Sequence, residues 1–195
     1  MFSRRQLLLG LGAAAVGASG LSVAVRTAPE PEADHRLPNV ALKTHTGATV
    51  RFYDDLIRGK VVAINMMYAT CEGICPLMTN NLVRVQTLLG KRVGREIFMY
   101  SISLKPEQDT PRALAEYAEM HEVGPGWTFL TGARADVERV RFALGFYDPD
   151  PVLDKDTTRH TGVVRIGNEP LARWSMAPAL AEPRQILSAI LRVAA

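Results

Sequence analysis

The sequence predicts an α/β sandwich, with a central mixed sheet, helices on both faces, an N-terminal hairpin and a second hairpin inserted late in the chain. Three observations lead there. Short apolar runs alternate with helical patterns through the middle of the chain, which implies parallel strands joined by right-handed crossovers. Near the C-terminus two strand-like segments straddle Gly167-Asn168-Glu169-Pro170, and a final helical pattern follows. Both cysteines, Cys71 and Cys75, fall where an early apolar run ends and a helical pattern begins.

Taken in order, Val40-Ala41-Leu42 and Val50-Arg51-Phe52 flank His45-Thr46-Gly47, the pattern of a hairpin. Tyr53 to Ile57 reads as a short helical turn closed by Gly59. Lys60 to Tyr68, with its dense apolar core, is expected to be a strand buried on both faces. Pro76 to Leu89 follows as a helix with Pro76 at its first position, where a missing N–H costs nothing, and Gly90 stops it. Leu77, Asn81, Leu82, Val85, Leu88 and Leu89 mark its expected inner face. Ile97 to Ser103 is the next strand, and Asp109-Thr110-Pro111 caps a helix running to Glu122. Trp127 to Leu130 is a strand, Asp136 to Leu144 a helix, and Phe146 to Arg159 a polar loop. Val163–Ile166 and Leu171–Trp174 form the late hairpin, and Glu182-Pro183 opens a last helix ending near Val193. This order, with a dithiol after an early strand, is that of a thioredoxin-like sandwich.

Residues 1–26 stand apart from the domain. Arg4-Arg5 precede an apolar, Gly/Ala-rich run from Leu7 to Val25, and the segment resembles a bacterial twin-arginine export signal, with Leu7 and Leu9 where that signal often has Phe and Lys. Ser22-Val23-Ala24 is a small-x-small site suited to cleavage. The alternative is an uncleaved membrane anchor, since a span takes about 17 to 25 apolar residues. Either way residues 36–195 are expected to face an oxidising compartment, the periplasm or the outer face of the cytoplasmic membrane. Residues 27–35, which include Ala28-Pro29-Glu30-Pro31-Glu32, read as a flexible tether.

The chain has 195 residues, 47% hydrophobic and 22% charged, which suits one globular domain after the leader. Its formal charge of +3 comes from the leader: Arg4, Arg5 and Arg26 are three of its 23 basic residues, and the remaining 20 balance the 20 acidic ones. A neutral domain with no basic run among aromatics gives no electrostatic case for nucleic-acid binding.

A helix N-terminus favours a thiolate over a thiol, so the dithiol is expected to have lowered pKa character. Thiolates attack disulfides and bind soft metals. If the Cys71–Cys75 turn were wholly helical, the two Cβ atoms would lie about 5 to 6 Å apart, more than the roughly 3.5 to 4.5 Å of a relaxed disulfide. Two sulfurs sharing one metal at bonds near 2.3 Å would sit about 4 Å apart, an easier fit. A purely structural bridge over so short a loop gains only roughly 2 kcal/mol. The spacing permits both bridge and metal, and slightly favours metal.

Two thiolates leave a soft metal short of ligands. Of the four histidines, His35 lies in the tether, His45 in a hairpin turn and His121 near a helix end, all placements that suit the surface. His160 ends the long loop before the late hairpin, where a loop of this fold can overhang the dithiol; a surface loop residue and a ligand are both open for it. Met66, Met67 and Met78 are soft donors near the motif, but strand and helix patterns assign them to the core.

Cys71-Glu72-Gly73-Ile74-Cys75-Pro76 after an apolar strand, Ser103 to Pro111 (SLKPEQDTP), Leu130-Thr131-Gly132, and His160 before a hairpin occur in this order across residues 36–193. Together they resemble the Sco/SenC family of copper-binding thioredoxin-like proteins. The resemblance implies copper held by Cys71, Cys75 and His160. It also implies a metallochaperone role towards the copper subunit of cytochrome c oxidase, with its binuclear copper centre, or towards another exported copper enzyme. Some family members instead reduce the cysteines of their partner, in which case Cys71 and Cys75 would be the redox-active pair. Two thiolates and an imidazole suit Cu(I), can hold Cu(II), and leave a position open for handing the metal on. A peroxidase of the same fold fits less well, because such enzymes use a Thr-x-x-Cys setting and here Thr70 abuts Cys71. The chain departs from the family at Lys105 and Arg159, where Asp is common. Cations there would stabilise thiolates and disfavour a dication, so weaker Cu(II) relative to Cu(I) retention is expected.

Overall fold

The computed structural model describes residues 37–156 and 162–195. The export segment, the tether with His35, and Arg159 and His160 therefore lie outside the described residues. The described chain folds around one seven-stranded sheet in the order β2-β1-β5-β4-β3-β6-β7. These strands are β1 (Ala41–Thr44), β2 (Thr49–Arg51), β3 (Val61–Met67), β4 (Ile97–Ser103), β5 (Trp127–Gly132), β6 (Val163–Asn168) and β7 (Arg173–Pro178). The helices are α1 (Ile74–Leu89), α2 (Pro111–Met120), α3 (Arg134–Ala143), α4 (Pro151–Asp154) and α5 (Pro183–Ala194), and a π-helical turn occupies Phe52–Ile57. This is the thioredoxin-like mixed sheet that the pattern predicts.

The three central strands are parallel, as strands read from continuous apolar runs should be. β3 pairs with β4 from Val61↔Ile97 to Met67↔Ser103, and β4 with β5 from Met99↔Trp127 to Ile102↔Leu130. The hairpins flank this core with antiparallel pairings, β1 on β5 and β6 on β3. Thr79 of α1 shares a 2.9 Å hydrogen bond with Tyr117 of α2, and Asn81 of α1 donates at 2.8 Å to the carbonyls of Ala179 and Ala181 ahead of α5, so these helices line one face. Met66 meets Arg134 and Glu138 of α3 across a cleft on the other face, and the pleat turns Met67 the opposite way. Met66, Met67 and Met78 are all buried, in agreement with their reading as core.

Besides α4, which forms inside the segment read as a polar loop, three details differ from the sequence reading. Helix α1 begins at Ile74, so Cys75 is inside it and Pro76 is third, a position in the first turn where its missing N–H is equally harmless. Its inner face carries Met78, Thr79 and Gln86, while Leu77 and Leu88 are 59% and 43% exposed. The buried polar pair is paid for by distant partners: Thr79 meets Tyr117, and the Gln86 amide donates to Gly124 O and accepts from Gly124 N, each at 2.9 Å. The late hairpin turns at Glu169–Ala172 rather than Gly167–Pro170, with Asn168 still paired to Arg173. Gly167 stays in the strand because the Trp174 ring lies over it, 2.3 Å from where a Cβ would sit.

Under the site, a buried polar chain links the three parallel strands. Ser101 Oγ donates to Asn65 Oδ1 at 2.8 Å and accepts from Trp127 Nε1 at 2.9 Å. Ser101→Ala leaves both partners buried without this hydroxyl, and should cost about 1 to 3 kcal/mol by denaturant unfolding. A loss below about 0.5 kcal/mol would show that the chain is not structural.

Candidate metal centre

The site forms where β3 and β4 end side by side, at the carboxyl edge of the parallel strands, where open α/β sheets place ligands. Leu104 N still donates to Met67 O at 2.7 Å, after which the chains part. The β4 end folds into a tight turn, with Asp109 N donating to Lys105 O at 2.9 Å. That turn carries the Asp109 carboxylate, 1% exposed, beneath the dithiol loop. Both of its oxygens accept from Ala69 N at 3.2 Å, and Ser103 Oγ donates to it at 2.5 Å. Burial raises the Asp109 pKa even though Ser103, Ala69 and the Lys105 charge oppose it.

From this anchor the loop runs Thr70-Cys71-Glu72-Gly73 into α1. Cys71 N donates to Tyr68 O at 3.2 Å, and Gly73, the N-cap of α1, has φ −98° and ψ −113°. Cys71 precedes the helix and Cys75 lies in its first turn, so the turn is not the wholly helical one that would hold the sulfurs apart. Both residues are thiols, with Cys71 7% and Cys75 0% exposed.

Their environments are unequal. Burial alone would push the Cys71 thiol up, but hydrogen bonds to its sulfur from Cys75, Tyr68 and the helix-start amides outweigh it, and its pKa is lowered. Burial, and then the bond to Cys71, push Cys75 up to about 12. Tyr68, whose phenol meets Cys71, is likewise raised to about 12, chiefly by burial. The Lys105 ammonium sits 3.9 Å from the centre of the Tyr68 ring, so the first of the two departures from the family does lie beside the site.

Among the described residues no third His, Cys, Asp or Glu joins the two cysteines in a cluster able to hold a metal. His45 and His121 are not in the site. His45 is more than a surface turn residue: its half-buried Nδ1 accepts from Phe129 N at 3.1 Å, and burial lowers its pKa. The half-buried ring of His121 pairs through Nδ1 with Asn80 Oδ1 at 2.8 Å. Gly162, the first described residue after His160, packs on the dithiol helix. A Cβ there would fall 2.6 Å from Ile74 Cδ1 and 3.3 Å from Met78 Sδ, so a side chain at this position would push the tip of Ile74 aside. Sequence reasoning missed Tyr68, Asp109 and Gly162 as site residues. Asp109 had a signal in the SLKPEQDTP block; the other two had only their closeness to Cys71 and His160 in the chain.

Two buried sulfurs, one favouring the thiolate, are a soft donor pair that fits a soft metal or a dithiol–disulfide couple. In the reduced protein, alkylation of Cys71 should show a pH midpoint below that of an ordinary thiol, about 8.5. Cys75 should resist modification through neutral pH. Equal rates at the two sulfurs, read by peptide mass spectrometry, would contradict the asymmetry.

The SCO1/SenC family model matches residues 30–195. The SCO1 protein homolog of Bacillus subtilis is 32% identical over 90 residues, 45% of each chain. The chain thus spans about half the length of the curated relatives it matches. Among solved structures, Bradyrhizobium japonicum ScoI with copper bound superposes with a TM-score of 0.62 at 24% identity, covering 78% of this chain and 96% of that one. BsSco, described as a member of the Sco family of cytochrome c oxidase assembly proteins with a disulfide switch, superposes with a TM-score of 0.64 at 21% identity, covering 80% and 91%. With its strand–dithiol–helix site on a thioredoxin-like sheet and a family match across the whole described domain, this chain belongs to the SCO1/SenC family.

Proposed function

We propose that this protein is an exported copper metallochaperone. It takes up copper through Cys71, Cys75 and His160 and passes it to a respiratory copper enzyme such as the binuclear copper centre of cytochrome c oxidase. Membership of the family supports the copper reading, as do the soft donor pair and the copper-bound relative of the same fold. What supports the ligand set is the family pattern, together with the packing of Gly162, two residues after His160 in sequence, against Ile74 and Met78 of the helix that holds Cys75. A third ligand from this position leaves copper under-coordinated, as transfer to a partner requires.

The Arg4-Arg5 leader supports export, by twin-arginine signal, to the periplasm or the outer face of the cytoplasmic membrane. Among the described residues no helix is long and apolar enough to cross a membrane. A second reading, thiol–disulfide exchange on a partner's cysteines, is favoured by the split between a thiolate-prone Cys71 and a proton-retaining Cys75. That split is what an attacking and a resolving sulfur need. The two readings use the same pair and differ over His160.

Added to the reduced chain, copper should bind one ion per molecule, and as Cu(II) it should give sulfur-to-copper charge-transfer absorption. His160→Ala should weaken that binding at least tenfold; equal binding by both proteins would favour the redox reading. Replacing Lys105 and Arg159 by Asp should raise the Cu(II)-to-Cu(I) affinity ratio by about tenfold, roughly 1.4 kcal/mol, a modest effect for charges near a dication at an effective dielectric of about 20. An unchanged ratio would remove any role for the two cations in choosing the oxidation state.

A further inference from the structure

Strands β4 and β5 are adjacent and parallel, yet the chain leaves β4 into α2 on one face of the sheet and leaves β5 into α3 on the other. In open α/β sheets the crevice at the carboxyl ends of two such strands is where ligands sit. A cleft of about 500 Å³ occupies that crevice here. Thr110 and Pro111 at the start of α2 and Ala133 at the start of α3 line it together.

Hydrogen-bond donors converge on this cleft. Ala133 stands at the N-cap of α3 without a side-chain cap, and Arg134 N and Ala135 N donate to no described group. A helix N-terminus left in this way favours negative charge. The strand register adds a row of polar side chains on one face, because Thr49 pairs with Lys43 and Lys43 with Thr131 across β2, β1 and β5. All three line the cleft. Thr131 is 4% exposed, and its buried Oγ1 has no hydrogen-bond partner. A buried hydroxyl left unpaired costs stability, so an orphan that lines a cleft points to a ligand.

Two carboxylates also line the cleft, and both are engaged. Asp136 lies 3.9 Å from the Arg139 guanidinium, and the Asp109 oxygens face Ala69 N and Ser103 Oγ. Lys43 is exposed and makes no ion pair with a described residue. The groups left over are a cation, two amides and a hydroxyl, all able to donate. Leu42, Pro106 and Pro111 supply an apolar wall beside them. One negative charge on two acceptor oxygens, carried by a short hydrocarbon body, matches this set. A dianion would meet Asp109 and Asp136 with twice the repulsion.

We propose that the crevice between the N-termini of α2 and α3 is a binding site for a small organic carboxylate. Thr131 Oγ1 donates to the carboxylate, Lys43 supplies the opposite charge, and the start of α3 adds its positive field. The site does not depend on the copper reading.

The test titrates the full chain with sodium butyrate and follows backbone amide shifts by NMR. The shifts should saturate with a Kd on the order of 1 mM, as so few atoms allow, and be largest at Thr131, Arg134 and Ala135. Butanamide, the uncharged isostere, should bind at least about tenfold more weakly, and Lys43→Met and Thr131→Val should each weaken butyrate by about three- to tenfold. Thr131→Val should also raise the melting temperature of the free protein, because it removes an unpaired hydroxyl. A lowered melting temperature would show that the hydroxyl already has a partner and would overturn the proposal. Failure to saturate by about 50 mM butyrate would overturn it too, as would equal binding of butanamide or unchanged butyrate binding in either variant. Inorganic phosphate that binds more tightly than butyrate would overturn the assignment to a carboxylate.

Discussion

The buried Asp109 carboxylate is the contact on which the site depends. It accepts from Ala69 N and Ser103 Oγ at the point where two parallel strands end. Without it the loop after β3 would leave the Ala69 amide unpaired beside the sulfurs. With it, the chain enters the Cys71 turn at a set angle, and α1 can start at Ile74 with its first amides directed at the Cys71 sulfur. The cost is a desolvated carboxylate, visible in its raised pKa, and its hydrogen bonds and the nearby Lys105 charge offset part of it.

The asymmetry of the two thiols follows from this entry geometry. Cys71 lies outside the helix, where backbone donors converge, and Cys75 lies inside it, where burial dominates. One sulfur is thus ready to carry negative charge while the other keeps a proton until something displaces it. A soft cation arriving at the pair would displace that proton; in thiol exchange, Cys71 would attack a partner disulfide and release one partner thiolate, and Cys75 would lose its proton as it attacks the mixed disulfide and releases the other. The same arrangement therefore suits either metal uptake or thiol exchange, the two readings proposed above. Lys105 over the Tyr68 ring adds positive charge close by, which favours thiolate and a monovalent metal over a divalent one.

Much of this was legible in the sequence, for local reasons. The run VVAINMM can only be a strand buried on both sides, and Thr110-Pro111 opens α2 as a cap followed by proline should. The cysteine pair announced its site by lying between strand and helix. What was illegible depends on partners distant in the chain. The inner face of α1 includes Thr79 and Gln86 because Tyr117 and Gly124 satisfy them, and nothing near them in sequence says so. The late turn moved by two residues because Trp174 covers Gly167. The burial of Arg141 likewise rests on Phe146 and Asp154, which lie beyond its own helix. His160 lies outside the described residues, so its role rests on the family pattern and on Gly162 beside it.

The most direct test of the metal site is X-ray absorption at the copper edge on the copper-loaded full chain. Two sulfur scatterers and one imidazole nitrogen in the first shell, with the sulfurs lost in a Cys71→Ser, Cys75→Ser chain, are the expected result. A first shell of nitrogen and oxygen alone, unchanged when both cysteines are replaced, would contradict it.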